Sequence, residues 1–226
     1  MEKIKIKDLV NFRRKSERAR ITQVSTLKLK KALNTDNPSG GNYWISCLSA
    51  ISNVFINNKI ELLNEKIDLL IEKIKVTQDK RIKDQFQRNI DVLYNFEEFD
   101  FQNLKPDAIL TYIKKPAYKS IIEILGLPIH VKPDHVFTFS INNSEEIGAV
   151  WFIAQVDGFD KGELGMFVDI LYRYLDKHYS GNFFVNSNYC IAVDVNKAQH
   201  INYKDIEENS IPIILEQTIN DMKKLI

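Results

Sequence analysis

Apolar residues recur at three- and four-residue spacing through the first half of the chain and gather into longer apolar runs in the second. Residues 6–20 carry Leu9, Val10 and Phe12 beside several arginines and predict a helix, whereas residues 21–32 fit either a strand or a helix. Pro38 and the Gly40-Gly41 pair mark residues 34–41 as a loop. Residues 43–55 are apolar on nearly every side, which predicts a buried helix whose Ser and Ala positions allow close packing. Between residues 59 and 96, Ile60, Leu63, Ile67, Leu70, Ile71 and Ile74 precede a second set of Ile82, Phe86, Ile90, Val92 and Leu93. That spacing predicts two helices broken near Val76-Thr77 and folded as a hairpin against the core.

Residues 106–113 and 117–125 read as short helical runs, the second ended by Gly126 and Pro128. Residues 129–140 predict a strand, Asn142-Asn143-Ser144 a turn, and residues 147–155 a second strand that carries no charge, so the two are expected to pair antiparallel. An uncharged strand is expected at the centre of a sheet, covered on both faces. Residues 157–162 form a loop, and residues 163–177 a helix with Leu164, Phe167, Ile170, Leu171, Tyr174 and Leu175 on its apolar stripe. A third strand over 186–195 follows a connection long enough for a right-handed crossover, which makes the second and third strands parallel. A helix over 211–226 closes the chain. The expected fold class is α/β (α+β), a mixed sheet flanked by helices. A mainly helical region, 1–100, and a sheet-bearing core, 101–226, form one compact unit.

Charge adds an asymmetry. The net charge is +1 overall, but residues 1–36 hold eleven Lys/Arg against four Asp/Glu, a net of +7, and the remainder carries −6. Arg13, Arg14, Lys15, Arg18 and Arg20 concentrate this excess and are the candidate nucleic-acid contacts; the competing reading is a basic helix lying over the acidic rest of its own chain. Cys47 and Cys190 are far apart and form no Cys-x-x-Cys or Cys/His cluster, so neither a disulfide framework nor a zinc site is expected, and a reducing cytoplasm fits. The N-terminus lacks a continuous apolar stretch and no run reaches bilayer length, so the expectation is a soluble chain without a membrane partner. A Lys/Ile/Asn-rich composition is compatible with a low-GC bacterium or a mobile element.

Chemistry is sparser. No Gly-rich phosphate loop, HExxH segment or nucleophile elbow is present. His130 and His135 fall on opposite faces of one predicted strand and make no metal pair. Pro133-Asp134 on the first core strand, the apolar run Val150-Trp151-Phe152-Ile153-Ala154-Gln155 on the second, and the helix beginning at Glu163 follow in the order helix, strand, strand, helix, strand. Over about the last hundred residues this order resembles the PD-(D/E)xK nuclease fold of restriction endonucleases and RecB-like nucleases. The resemblance implies Asp134 as the first metal ligand and catalytic carboxylate, with Glu123 in a preceding helix as an additional one. It also implies that Trp151 and Ile153, or Ile153 and Gln155, stand where the family has its acid and lysine.

Hydrolysis is therefore expected to be lost, unless Asp157, Asp160 and Lys161 of the following loop reach the site; magnesium or manganese is expected only in an active enzyme. Two readings follow. One is a nucleic-acid-associated protein with a degenerate nuclease-like core, of the kind found in bacterial defence or on mobile elements, contacting DNA or RNA through its basic arm. The other is a protein-interaction or self-assembly module built on residues 59–96 or on Phe167, Tyr172 and Tyr174. An active metal-dependent nuclease ranks third.

Overall fold

The computed structural model describes residues 3–29, 43–114 and 120–226. The loop expected at residues 34–41 lies outside them. Strand β6 (Ser144–Ile153) is the axis of the fold: it pairs antiparallel with β5 (His135–Ile141) and parallel with β7 (Phe184–Asp194). Two short strands complete the five-stranded sheet, β2 (Thr111–Tyr112) beside β5 and β8 (Gln199–Asn202) beside β7, in the order β2-β5-β6-β7-β8. The β5–β6 turn is closed by Asn142 and Asn143, both at positive φ, the backbone that a tight hairpin demands.

Side-chain alternation sorts the sheet into two apolar faces. Ile147, Ala149 and Ile153 of β6 face a layer containing α1 (Ile6–Arg14), α6 (Lys161–Tyr179) and α8 (Leu215–Lys223). Val150, Phe152 and Ala154 face the other layer, α3 (Ile45–Asn57), α4 (Glu61–Val76) and α5 (Lys80–Tyr94). The α4–α5 break falls where the spacing places it: Thr77 is extended, and Asp79 caps α5 by accepting the Arg81 and Ile82 N–H groups. The mainly helical first half and the mixed sheet are as expected. Both cysteines are buried free thiols, and burial pushes Cys47 up to about 12. No helix among the described residues is long and apolar enough to cross a membrane.

Four local expectations are corrected. The helix expected over residues 6–20 breaks at Lys15, which is extended, into α1 and α2 (Glu17–Leu29). The break is stabilised by Arg20, whose Nε and Nη2 donate to the Phe12 and Arg13 carbonyls at 2.9 and 2.8 Å. The strand expected over 129–140 is two strands. Pro133, which has no N–H to donate, interrupts it, so β4 (Leu127–His130) joins a separate three-stranded sheet, β1-β4-β3, with β1 (Ile4–Lys5) and β3 (Ile121–Ile124). The run expected to be helical around Glu123 is β3, hairpinned to β4 through Leu125 and Gly126 at positive φ. The short helix expected over 106–113 is irregular chain ending in β2. A four-residue helix, α7 (Lys204–Glu207), follows β8.

Gly148 marks the register shift between β6 and β7, and a Cβ there meets Tyr189 Cβ at 2.7 Å and the Tyr189 carbonyl at 2.8 Å. Gly148→Ala is expected to cost about 1–3 kcal/mol by overpacking, lowering the thermal midpoint by several degrees in a melting experiment.

Candidate functional site

At the C-terminal end of β6 the two sheets and both helical layers meet around a cleft of about 590 Å³, within the range of small-ligand sites. The start of the chain supplies Lys5, Ile6 and Lys7, the end of β4 supplies His130, and the β4–β5 connection supplies Lys132, Pro133 and Asp134. Trp151, Phe152 and Ile153 of β6 form its floor, with Leu48 of α3 on one side and Phe167 of α6 on the other. Asp134 is held in place by backbone bonds in both directions: its Oδ2 accepts the Phe152 N–H at 2.8 Å, and its own N–H donates to the Val150 carbonyl at 3.0 Å.

The cleft is basic. Parallel pairing of β1 with β4 sets Lys5 opposite His130. The His130 imidazole is held below its ordinary pKa by burial first, then by the charges of Lys3, Lys132 and Lys5. The Lys7 ammonium is likewise lowered, by burial and then by Lys5, with Asp134 opposing. Among the described residues no carboxylate forms an ion pair with Lys3, Lys5 or Lys132. Asp134 is the one acid among the lining residues.

The remaining expected site residues lie elsewhere. Glu123 stands on the exposed face of β3 opposite Pro128 and does not line the cleft. Arg14 makes a bidentate ion pair with Glu163, whose side chain is only 5% exposed, and its Nη2 donates to the Gly158 carbonyl at 2.7 Å. Burial works to raise the Glu163 carboxyl, but the Arg14 bonds, the Asp160 N–H and nearby charge outweigh it and hold it below the usual range. Arg13 Nη1 donates to Thr218 Oγ1 at 3.2 Å, and Arg20 is spent on the end of α1. Lys15 and Arg18 are exposed. Thus the structure brings Asp134 together with Lys5, Lys7, His130 and Lys132, and draws much of the basic arm onto the protein itself.

The loop after β6 does not deliver a second acid. Asp160 caps α6, accepting the Glu163 N–H at 2.7 Å, and Asp157 and Lys161 lie outside the lining. The loop is pinned from several sides. Lys7 Nζ donates to the Ala154 carbonyl at 2.9 Å, the fully buried Asp194 accepts the Phe159 N–H at 2.7 Å, and Lys197 Nζ donates to the Phe159 carbonyl at 2.8 Å. His130 and His135, expected on one strand, lie on β4 and β5 in separate sheets, and His135 has Nε2 2.6 Å from Ser52 Oγ and its ring stacked on Phe55. No group of three or more His, Cys, Asp or Glu able to hold a metal occurs among the described residues.

A hard divalent ion takes about six oxygen ligands. The cleft offers one carboxylate beside Trp151 and Ile153, and the strand-end carbonyl of Ala154 is already taken by an ammonium. This donor set does not fit magnesium or manganese. No family model, curated protein or solved structure matches the chain.

Removing Arg14 leaves the Glu163 carboxylate nearly enclosed and without its cation. Arg14→Ala is expected to cost about 1–3 kcal/mol, discounted for the partly exposed guanidinium, and Glu163→Gln added to it should recover part of that loss in a double-mutant melting cycle.

Proposed function

We propose that the protein is nucleic-acid-associated and non-catalytic, a PD-(D/E)xK-like core whose former metal site now binds phosphate. The observation that carries this reading is the gathering of Lys5, Lys7, His130 and Lys132 around a single acid, Asp134. Like charges held together in a partly desolvated cleft repel one another, and an anion relieves that repulsion. A polyanion with closely spaced phosphates matches several lysines at once and gains by releasing its counterions. The reading rests on the order β5, β6, α6, β7, with Asp134 beside Trp151 and Ile153 where the nuclease family has its second carboxylate and lysine. Neither replacement binds a metal or activates water.

A second reading, protein assembly, draws on exposed apolar positions of the α4–α5 hairpin, with Leu69 58%, Val76 76% and Ile82 42% exposed. Light scattering separates the two: concentration-dependent dimerisation abolished by Leu69→Glu favours assembly.

Fluorescence anisotropy against a labelled oligonucleotide at several salt concentrations tests the first reading. Lys5→Ala/Lys132→Ala is expected to weaken binding and to flatten the slope of log K against log salt by about 1.5, while Lys15→Ala/Arg18→Ala leaves that slope nearly unchanged. Binding by wild type that ignores salt, or a slope indifferent to Lys5 and Lys132, overturns it.

Acidification provides an independent check. Because His130 lies below its ordinary pKa in the free protein, it is neutral above pH 7; a bound phosphate opposes the lysine repulsion and raises it. Binding therefore takes up a proton, and affinity is expected to rise as pH falls from 8 to 6. The rise should shrink in His130→Asn.

A further inference from the structure

Resting on the nucleic-acid reading, we propose that the cleft takes a single strand, not a duplex, with one unpaired base laid on Trp151 and its flanking phosphates held by Lys5 and Lys132. Trp151 is half-buried on the floor of the cleft, at one of the two positions that the nuclease resemblance offers for an acid. Its ring is fixed by a perpendicular contact with Phe167, centroids 5.4 Å apart and planes at 88°. Backbone pairing of Trp151 with Ala192 on β7 holds the residue on the sheet, so the indole is a preset platform and not a loop side chain.

The cleft is chemically divided. Trp151, Ile153 and Phe167 offer an apolar wall, and Lys5, Lys132 and His130 offer positive charge. Phosphate alone has no use for a partly exposed indole in a basic cleft; a nucleotide uses both parts, because every base has a π-face and every linkage a charge. A duplex turns its bases inward and presents only phosphate to such an opening, so it leaves the indole unused. Asp134, which shares the cleft lining with Trp151 and is fixed by the Phe152 N–H, repels phosphate locally and leaves that part of the cleft to the base.

The test compares a labelled 12-nucleotide oligothymidylate with a 12-base-pair duplex by anisotropy, and reads Trp151 directly by fluorescence in a Trp44→Phe protein, the chain having two tryptophans. Single-strand binding is expected to exceed duplex binding by about tenfold or more, to quench the Trp151 emission, and to fall by roughly 10- to 100-fold in Trp151→Leu while Trp151→Tyr retains most of it. Duplex bound as tightly as single strand, or single strand bound without quenching, overturns this inference and leaves the nucleic-acid reading standing. Neither oligonucleotide bound by wild type overturns both. If Trp151→Leu does not fold, the quenching measurement in the Trp44→Phe protein decides.

Discussion

Strand β6 requires cover on both faces. From Ile147 to Ala154 it carries no charge, it is flanked by a strand on each side, and its alternate side chains enter separate apolar clusters. A strand in that position has no edge to hydrate and no face to leave wet, so two helical layers must be built around it. The N-terminal helices α3 to α5 supply one layer. The crossover helix α6, with α1 and α8, supplies the other. At the end of β6 the two layers part, and the cleft is the gap that remains.

The electrostatics follow from the same placement. Helix α1 lies beside the loop after β6, so its cations meet backbone carbonyls and a nearly enclosed carboxylate. Lys7 reaches the Ala154 carbonyl, and Arg14, two turns further along, reaches the Gly158 carbonyl and Glu163. A charge-assisted bond to a partly buried acceptor is stronger than a solvated charge, so these cations act as fasteners before they act as a surface. The lysines of β1 and of the β4–β5 connection have no such partner among the described acids, and together with Lys7 they line the cleft.

The β6–α6–β7 unit was legible because its apolar runs are long and bounded by clear turns. Asn142-Asn143 and the Asp160 cap carry their mechanism in the local sequence. The small sheet was not legible. Ile121-Ile-Glu-Ile-Leu125 satisfies helical spacing as well as alternation, and only its β-branched content and Gly126 favour the strand. Strand β1 is two residues long and exists through pairing with residues 125 positions away, which no local pattern encodes. For the site, Asp134 was visible beside Pro133, but the cleft joins the chain start to residues near 130 and 150. Charge counting found the basic arm; it could not show that Arg14 is matched by Glu163, 149 residues later.

The sign of the field in the cleft sets what chemistry is open to it. A metal-dependent phosphodiesterase gathers carboxylates so that their mutual repulsion draws in a divalent cation, and the cation then meets the phosphate. Here Trp151 and Ile153 lie beside the one lining carboxylate, and the Lys7 ammonium donates to the Ala154 carbonyl at the strand end. The repulsion is now among cations. Such a cleft disfavours a further cation and favours an anion. On the proposed reading, binding without turnover follows from setting Trp151 and Ile153 beside Asp134 with Lys5 and Lys132 at the rim.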